Sequence, residues 1–146
     1  MQARNNGFTL VELVVVVLVI AILMTLILPS YQRQLVGTRR SIASAALLQT
    51  LIRQEQYFVE HKRYAQTLVE LDYPASPYAI DAQGNVLAED AQNRIYLINL
   101  ATTTNAFTLL ATPQLGQAAD QLCGALSLDS IGIKRVTGEA DVSACW

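Results

Sequence analysis

Gly7-Phe8-Thr9-Leu10-Val11-Glu12 runs without a break into residues 13–28, a stretch of sixteen in which Thr25 is the one polar side chain. This junction decides the fold class. As an α-helix, the segment from Phe8 to Leu28 is about 31 Å long at 1.5 Å per residue, enough to cross the hydrocarbon core of a bilayer. Residues 1–7 are short and polar, with Arg4 as their one charge, which favours keeping that end cytoplasmic and the rest of the chain across the membrane. No small-x-small site of the secretory kind follows the apolar run before Pro29, so a plain membrane anchor is the simplest reading. It leaves Glu12 unexplained. A carboxylate one turn inside a spanning helix is costly and normally has a partner, yet no Lys or Arg lies within a turn of it. A cut between Gly7 and Phe8 would create that partner, because Phe8 would then carry an α-ammonium group. Glu12 could reach this amine in its own helix or in a neighbour's.

The rest of the 146 residues has an ordinary globular composition, since the apolar run accounts for most of the excess in a chain that is 52% hydrophobic. Residues 63–146 alone make a marginal core, which needs a helix packed on it or a covalent staple. The net charge of −2 and the mere two lysines, Lys62 and Lys134, give no general attraction for nucleic acid or anionic lipid. Cys123 and Cys145 form no CxxC pair, and His61 is the only histidine, so the spacing matches no zinc signature. One disulfide between them is the favoured reading and implies an oxidising compartment. Two free buried thiols are the alternative.

Residues 31–62 continue the helical pattern. Val36, Ala43, Leu47, Leu51 and Phe58 fall on one stripe, widened by Leu48, Ile52 and Val59, with Arg39, Gln49, Arg53, Gln56 and Glu60 opposite. The stripe is expected to pack on the domain's own core from Leu47 to Val59, with Val36 and Ala43 free to meet neighbouring subunits instead. Pro29 and Gly37 are its weak points, one lacking an N–H and the other lowering helix propensity. Two hairpins follow, residues 94–100 with 106–112 and residues 125–128 with 132–136. Residues 79–93 read as a loop turning at Gly84-Asn85, and 113–121 as another.

The stretch from Gly7 to Leu13 resembles the processing signature of type IV prepilins and their type II secretion relatives. The resemblance implies cleavage after Gly7 by a dedicated inner-membrane peptidase, N-methylation of Phe8, and a role for Glu12 in assembly. Pro29 and Tyr31 match the same family, which implies an α+β fold: a long N-terminal helix on a small antiparallel sheet with a C-terminal disulfide loop. Bending of the helix in the free subunit, permitted here by Pro29 and Gly37, is a further implication. Gln54-Glu55-x-Tyr57-Phe58 with Arg63-Tyr64-Ala65, and Cys123-Gly124-x-Leu126-x-Leu128 with Gly132 and Cys145-Trp146, are similar to a minor-pilin subgroup of Gram-negative bacteria. That subgroup includes assembly factors and a DNA receptor of natural competence.

The expected organisation is a leader at 1–7, a membrane or filament-core helix at 8–28, an amphipathic continuation at 29–62 and a periplasmic β domain at 63–146. No catalytic constellation is visible: there is no phosphate loop, nucleophile elbow or carboxylate pair, and His61 sits in a solvated charged run. Asp72, Asp81 and Asp90 are too widely spaced for a calcium loop, so neither metal nor cofactor is expected. The reading is a structural minor pilin, held in the inner membrane and built into type IV pili for their initiation, motility or adhesion. Its expected partners are other pilins, major and minor, the prepilin peptidase, the inner-membrane assembly platform and membrane lipid. Two other functions compete. A DNA receptor would need a phosphate-binding stripe, for which Lys134, Arg135, Arg94 and Arg63 are the candidates. A pseudopilin of a type II secretion system is the third reading.

Overall fold

The structure is a computed structural model that describes residues 9–146; the cleavage residues Gly7 and Phe8 lie outside the described residues. The chain forms two compact units, Met1–Leu35 and Val36–Trp146. One helix of 52 residues, α1 (Leu10–His61), contributes to both. It starts on Thr9, whose Oγ1 accepts the Glu12 N–H at 3.2 Å. Thr-x-x-Glu is the order of a capping box, and it places the acid where the helix dipole favours negative charge. The helix ends as Lys62 turns left-handed (φ 56°) and returns its N–H to Phe58 O at 2.8 Å, closing the last turn as left-handed caps do.

In the first unit, every large apolar side chain of α1 from Leu10 to Leu28 is 47–79% exposed. A helix that is apolar all round and uncovered belongs in lipid or among other apolar helices.

The second unit lays α1 on a six-stranded antiparallel sheet. Its strands are β1 (Tyr78–Ile80), β2 (Val86–Leu87), β3 (Tyr96–Thr102), β4 (Phe107–Pro113), β5 (Leu126–Asp129) and β6 (Lys134–Val136), in the order β2-β1-β3-β4-β5-β6. Two-residue periodicity sets the core face. Tyr78, Ile98, Ala111 and Leu126 lie opposite one another across four strands, and Leu109 faces Leu128. All six are buried, and from the helix Ala43, Leu47, Thr50 and Gln54 meet this core with no exposed surface. The buried Thr50 is satisfied three ways, its Oγ1 lying 2.9 Å from Ala46 O, 2.9 Å from Tyr73 Oη and 3.1 Å from Tyr78 Oη. The chain ends in a one-turn helix, α2 (Val142–Cys145).

Both expected hairpins are present, with ends shifted by one or two residues. Residues 79–93 are not simply a loop, because they contain β2 and most of β1. At two and three residues, these strands are too short to show alternation. The apolar stripe of α1 is also divided differently from expectation. Ala43 is wholly buried within its own domain, whereas Leu48, Ile52 and Val59 are 42%, 55% and 67% exposed. The core takes a narrow wedge of the helix and fills it partly with polar side chains that find internal partners.

Replacement of neighbouring leucines checks this division. Leu47→Ala is expected to lower unfolding free energy by about 2–5 kcal/mol, since it opens a cavity under the sheet. Leu48→Ala should cost less than about 1 kcal/mol, as exposed positions do. Urea unfolding of the full chain in detergent, followed by near-UV circular dichroism, measures both. Equal losses would mean that the two faces are not distinguished as described.

Candidate functional site

Two clamps hold α1 to the connecting segments of its domain, one at each end. At the C-terminal end of the helix, the Gln54 amide bonds to a single residue in both directions. Its Nε2 donates to Ala65 O at 3.1 Å, and its Oε1 accepts the Ala65 N–H at 2.9 Å. Around this pair Tyr57 Oη donates to Glu70 at 2.6 Å, Arg63 meets the same carboxylate at 3.0 Å, and Tyr64 Oη donates to Glu55 at 3.3 Å. The Tyr64 ring stands edge-on to Phe107 at 4.8 Å. The Gln54 and Arg63-Tyr64-Ala65 motifs are therefore the joint at which the chain leaves the helix. Their hydrogen bonds hold Glu70 below the usual carboxylate range, chiefly through Tyr57 and then Arg63, although burial opposes the shift. The Tyr57 hydroxyl is raised in turn, first by its bond to Glu70.

The other clamp is at the start of the domain's helix. Arg40 holds Asp120 through two nitrogens, at 3.0 and 3.1 Å, with the side chains 13% and 2% exposed. This pairing across 80 residues has no signature in the sequence and was not anticipated. The disulfide Cys123–Cys145 is formed beside it. Gly124 sits at φ 62°, and a Cβ there would lie 2.5 Å from Thr137 Oγ1, so only glycine lets the two arms of the loop approach.

Of the remaining site residues, Glu12 is exposed in the first turn of α1, Pro29 lies within the helix, and Gly37 is half-buried. They are spread along one helix and form no common pocket. His61 stacks on Tyr57 at 4.0 Å at the exposed end of the helix. Among the described residues no group of three or more His, Cys, Asp or Glu side chains could hold a metal. The basic residues considered for DNA are largely engaged. Arg63 pairs with Glu70 and Arg135 with Asp129, Arg94 bonds to Ala91 O and Gln114, and Lys134 lies 4.9 Å from the Trp146 ring centroid.

An uncovered apolar helix carrying a disulfide-stapled sheet is the architecture of a pilin-type subunit. Residues 29–127, more than half of the chain, match the family described as type IV minor pilin ComP, DNA uptake sequence receptor. Residues 2–28 match the prokaryotic N-terminal methylation motif. The type IV major pilin protein PilA of Myxococcus xanthus is 33% identical over 70 residues, 48% of this chain and 32% of that protein. The chain thus spans about a third of the length of that relative. The solved structure of a type IV pilin from Shewanella oneidensis has the same fold, with a TM-score of 0.50 at 22% identity over 76% of this chain and 97% of that one. The chain belongs to the type IV minor pilin family.

Two measurements probe the joint around Gln54. Gln54→Ala strands the N–H of buried Ala65, and one orphaned buried group costs about 1–3 kcal/mol, so a loss of that size is expected in urea unfolding. An unchanged midpoint would remove the joint's importance. Glu70 governs an acid limb. With its folded pKa depressed, it stabilises the domain above the ordinary glutamate range, and that contribution is lost as pH falls through the folded value. The Glu70→Gln variant should therefore lose less stability than wild type between neutral pH and the acid side of that range. Parallel pH profiles for the two proteins would contradict this.

Proposed function

We propose that this chain is a minor structural subunit of type IV pili, stored in the inner membrane and then built into the filament. The observation that carries the reading is the bare apolar surface of α1 between Leu10 and Leu28, which needs lipid before assembly and neighbouring helices after it. The methylation motif over residues 2–28 supports cleavage after Gly7 by a prepilin peptidase, methylation of the new Phe8 amine and delivery to the assembly platform. With Arg4 on the cytoplasmic side, the domain is on the periplasmic side. In the filament, Glu12 pairs with the Phe8 ammonium of a neighbour and so fixes register, while Pro29 and Gly37 let the helix bend. The role is structural, with no catalytic step.

Receptor function for DNA is a second reading, favoured by the family description and by the adjacency of Lys134 to the Trp146 ring, a cation beside an aromatic face. The intramolecular pairing of Arg40, Arg63 and Arg135 argues against a phosphate stripe. Duplex binding that weakens steeply with salt and is lost in Lys134→Glu would favour the receptor over a purely structural subunit.

The main reading is tested by processing and assembly together. Intact mass should show a mature chain that begins at Phe8 and carries one extra methyl group; a chain retaining Met1 would contradict it. Glu12→Ala and Glu12→Gln should still be inserted and cut, yet be depleted from sheared pili, because an unpaired buried ammonium costs about 3–5 kcal/mol. The Gln variant separates charge from helix capping. Wild-type abundance of both variants in filaments would show that charge pairing does not set register.

A further inference from the structure

The Arg40 clamp lies one turn after Gly37, one of the two weak points of α1. Gly37 is the one glycine of α1, and a Cβ added there would meet nothing within 4 Å. Packing in this chain therefore does not require glycine at that position, and its effect is to lower helix propensity just inside the boundary of the two units at Leu35 and Val36. The turn from Val36 to Arg40 is held from outside instead. Gln117, fully buried, donates from Nε2 to Val36 O at 3.3 Å and to Tyr96 Oη at 3.2 Å. Arg40 grips Asp120 and donates from Nη1 to Ala144 O at 3.5 Å. Asp120 accepts the Cys123 N–H at 3.3 Å. Each cysteine thus sits next to a contact of Arg40: Ala144 precedes Cys145, and Cys123 donates to Asp120 itself.

This end of the domain also carries a cost that the other end does not. Gln117 Oε1 and Arg39 Nε are both buried, and neither has a hydrogen-bond partner among the described residues. Opening returns such atoms to water, so it costs less here than where every buried polar atom is satisfied. At the opposite end the Gln54 amide is satisfied on both atoms.

We propose that the Arg40–Asp120 pair, backed by the Cys123–Cys145 loop, is a latch that sets how far toward its N-terminus the domain's helix stays wound. With the latch closed, the secured helix starts at Val36. With it open, the helix is secured only from about Ala43, the first fully buried side chain of α1. The disulfide thereby governs a helix to which it is not bonded, through one ion pair and one carbonyl.

Amide hydrogen exchange of the full chain in detergent micelles tests this. The amides of residues 40–43, whose helical acceptors are the carbonyls of 36–39, should be protected in the oxidised wild type. In Asp120→Asn, and in wild type reduced by a water-soluble phosphine, they should exchange about tenfold faster or more, while amides of 51–58 and of β3 and β4 keep their rates. The reduction arm starts from protein already folded, so it does not depend on a variant reaching the native state. Unchanged protection at 40–43 in either arm would overturn the latch or its coupling to the disulfide. Equal acceleration across the whole domain would overturn it too, as that reports only global destabilisation.

Discussion

A buried carboxamide that satisfies the backbone of one residue in both directions sets the geometry of this domain. Gln54 lies on the core face of α1, where an unpartnered amide would be expensive to bury. Ala65 is the one described residue to which that amide bonds, so the chain that has just left the helix must fold straight back along it. Thr102 then adds its hydroxyl to Ala65 O at 2.8 Å, bringing the end of β3 to the same point. Helix, reversal and sheet are thereby registered by one carbonyl with two donors. The apolar wedge supplies the larger part of the stabilisation, but a greasy face alone could slide along the sheet by a turn. The amide pairing fits one register only.

Charge is used in the same inward-looking way. Arg40, Arg63 and Arg135 each face a carboxylate of the same domain, and Arg53 points its guanidinium at Leu71 O and over the Tyr73 ring. These side chains fasten loops to α1 and to strand ends, leaving a modest field at the surface. In the proposed filament this arrangement is an advantage, because strong single-sign patches would repel identical neighbours. The first unit is the reverse case, with its helix exposed and apolar from Leu13 to Leu28 apart from Thr25, and its one acid in the opening turn.

Much of this was legible in the sequence, for physical reasons that differ by element. The apolar run and the acid within it read clearly because a bilayer admits few such patterns. β3, β4, β5 and β6 were readable because paired stretches with turn residues between them leave a two-residue rhythm. β1 and β2 leave none at their length. Periodicity found the apolar residues of α1 but could not say which arc meets the sheet, because Thr50 and Gln54 occupy core positions and only the distant Tyr73, Tyr78 and Ala65 make them tolerable there. The Arg40–Asp120 pair was invisible for the same reason, as were the roles of Gln117 and Ala144. Thr9 and Glu12 stand in capping-box order, so the acid has a local role at the helix start beside the charge pairing that its place in an apolar helix suggests.

The placement of the disulfide has a mechanical consequence. The bond closes a segment of the last strands, its cysteines 22 positions apart, and no covalent cross-link joins α1 to the sheet. A pull transmitted along α1 from residues before Val36 would load the helix–sheet contact in shear, and the staple would lie outside the force path. Resistance then rests on how fast a set of parallel non-covalent contacts can fail together, which is a matter of unfolding rate rather than of equilibrium stability. Arg40 would feel such a load first and Gln54 last, so yielding would run from one end of the domain to the other. The stapled loop and sheet could keep their own shape while the helix slipped, and the same contacts could re-form once tension fell.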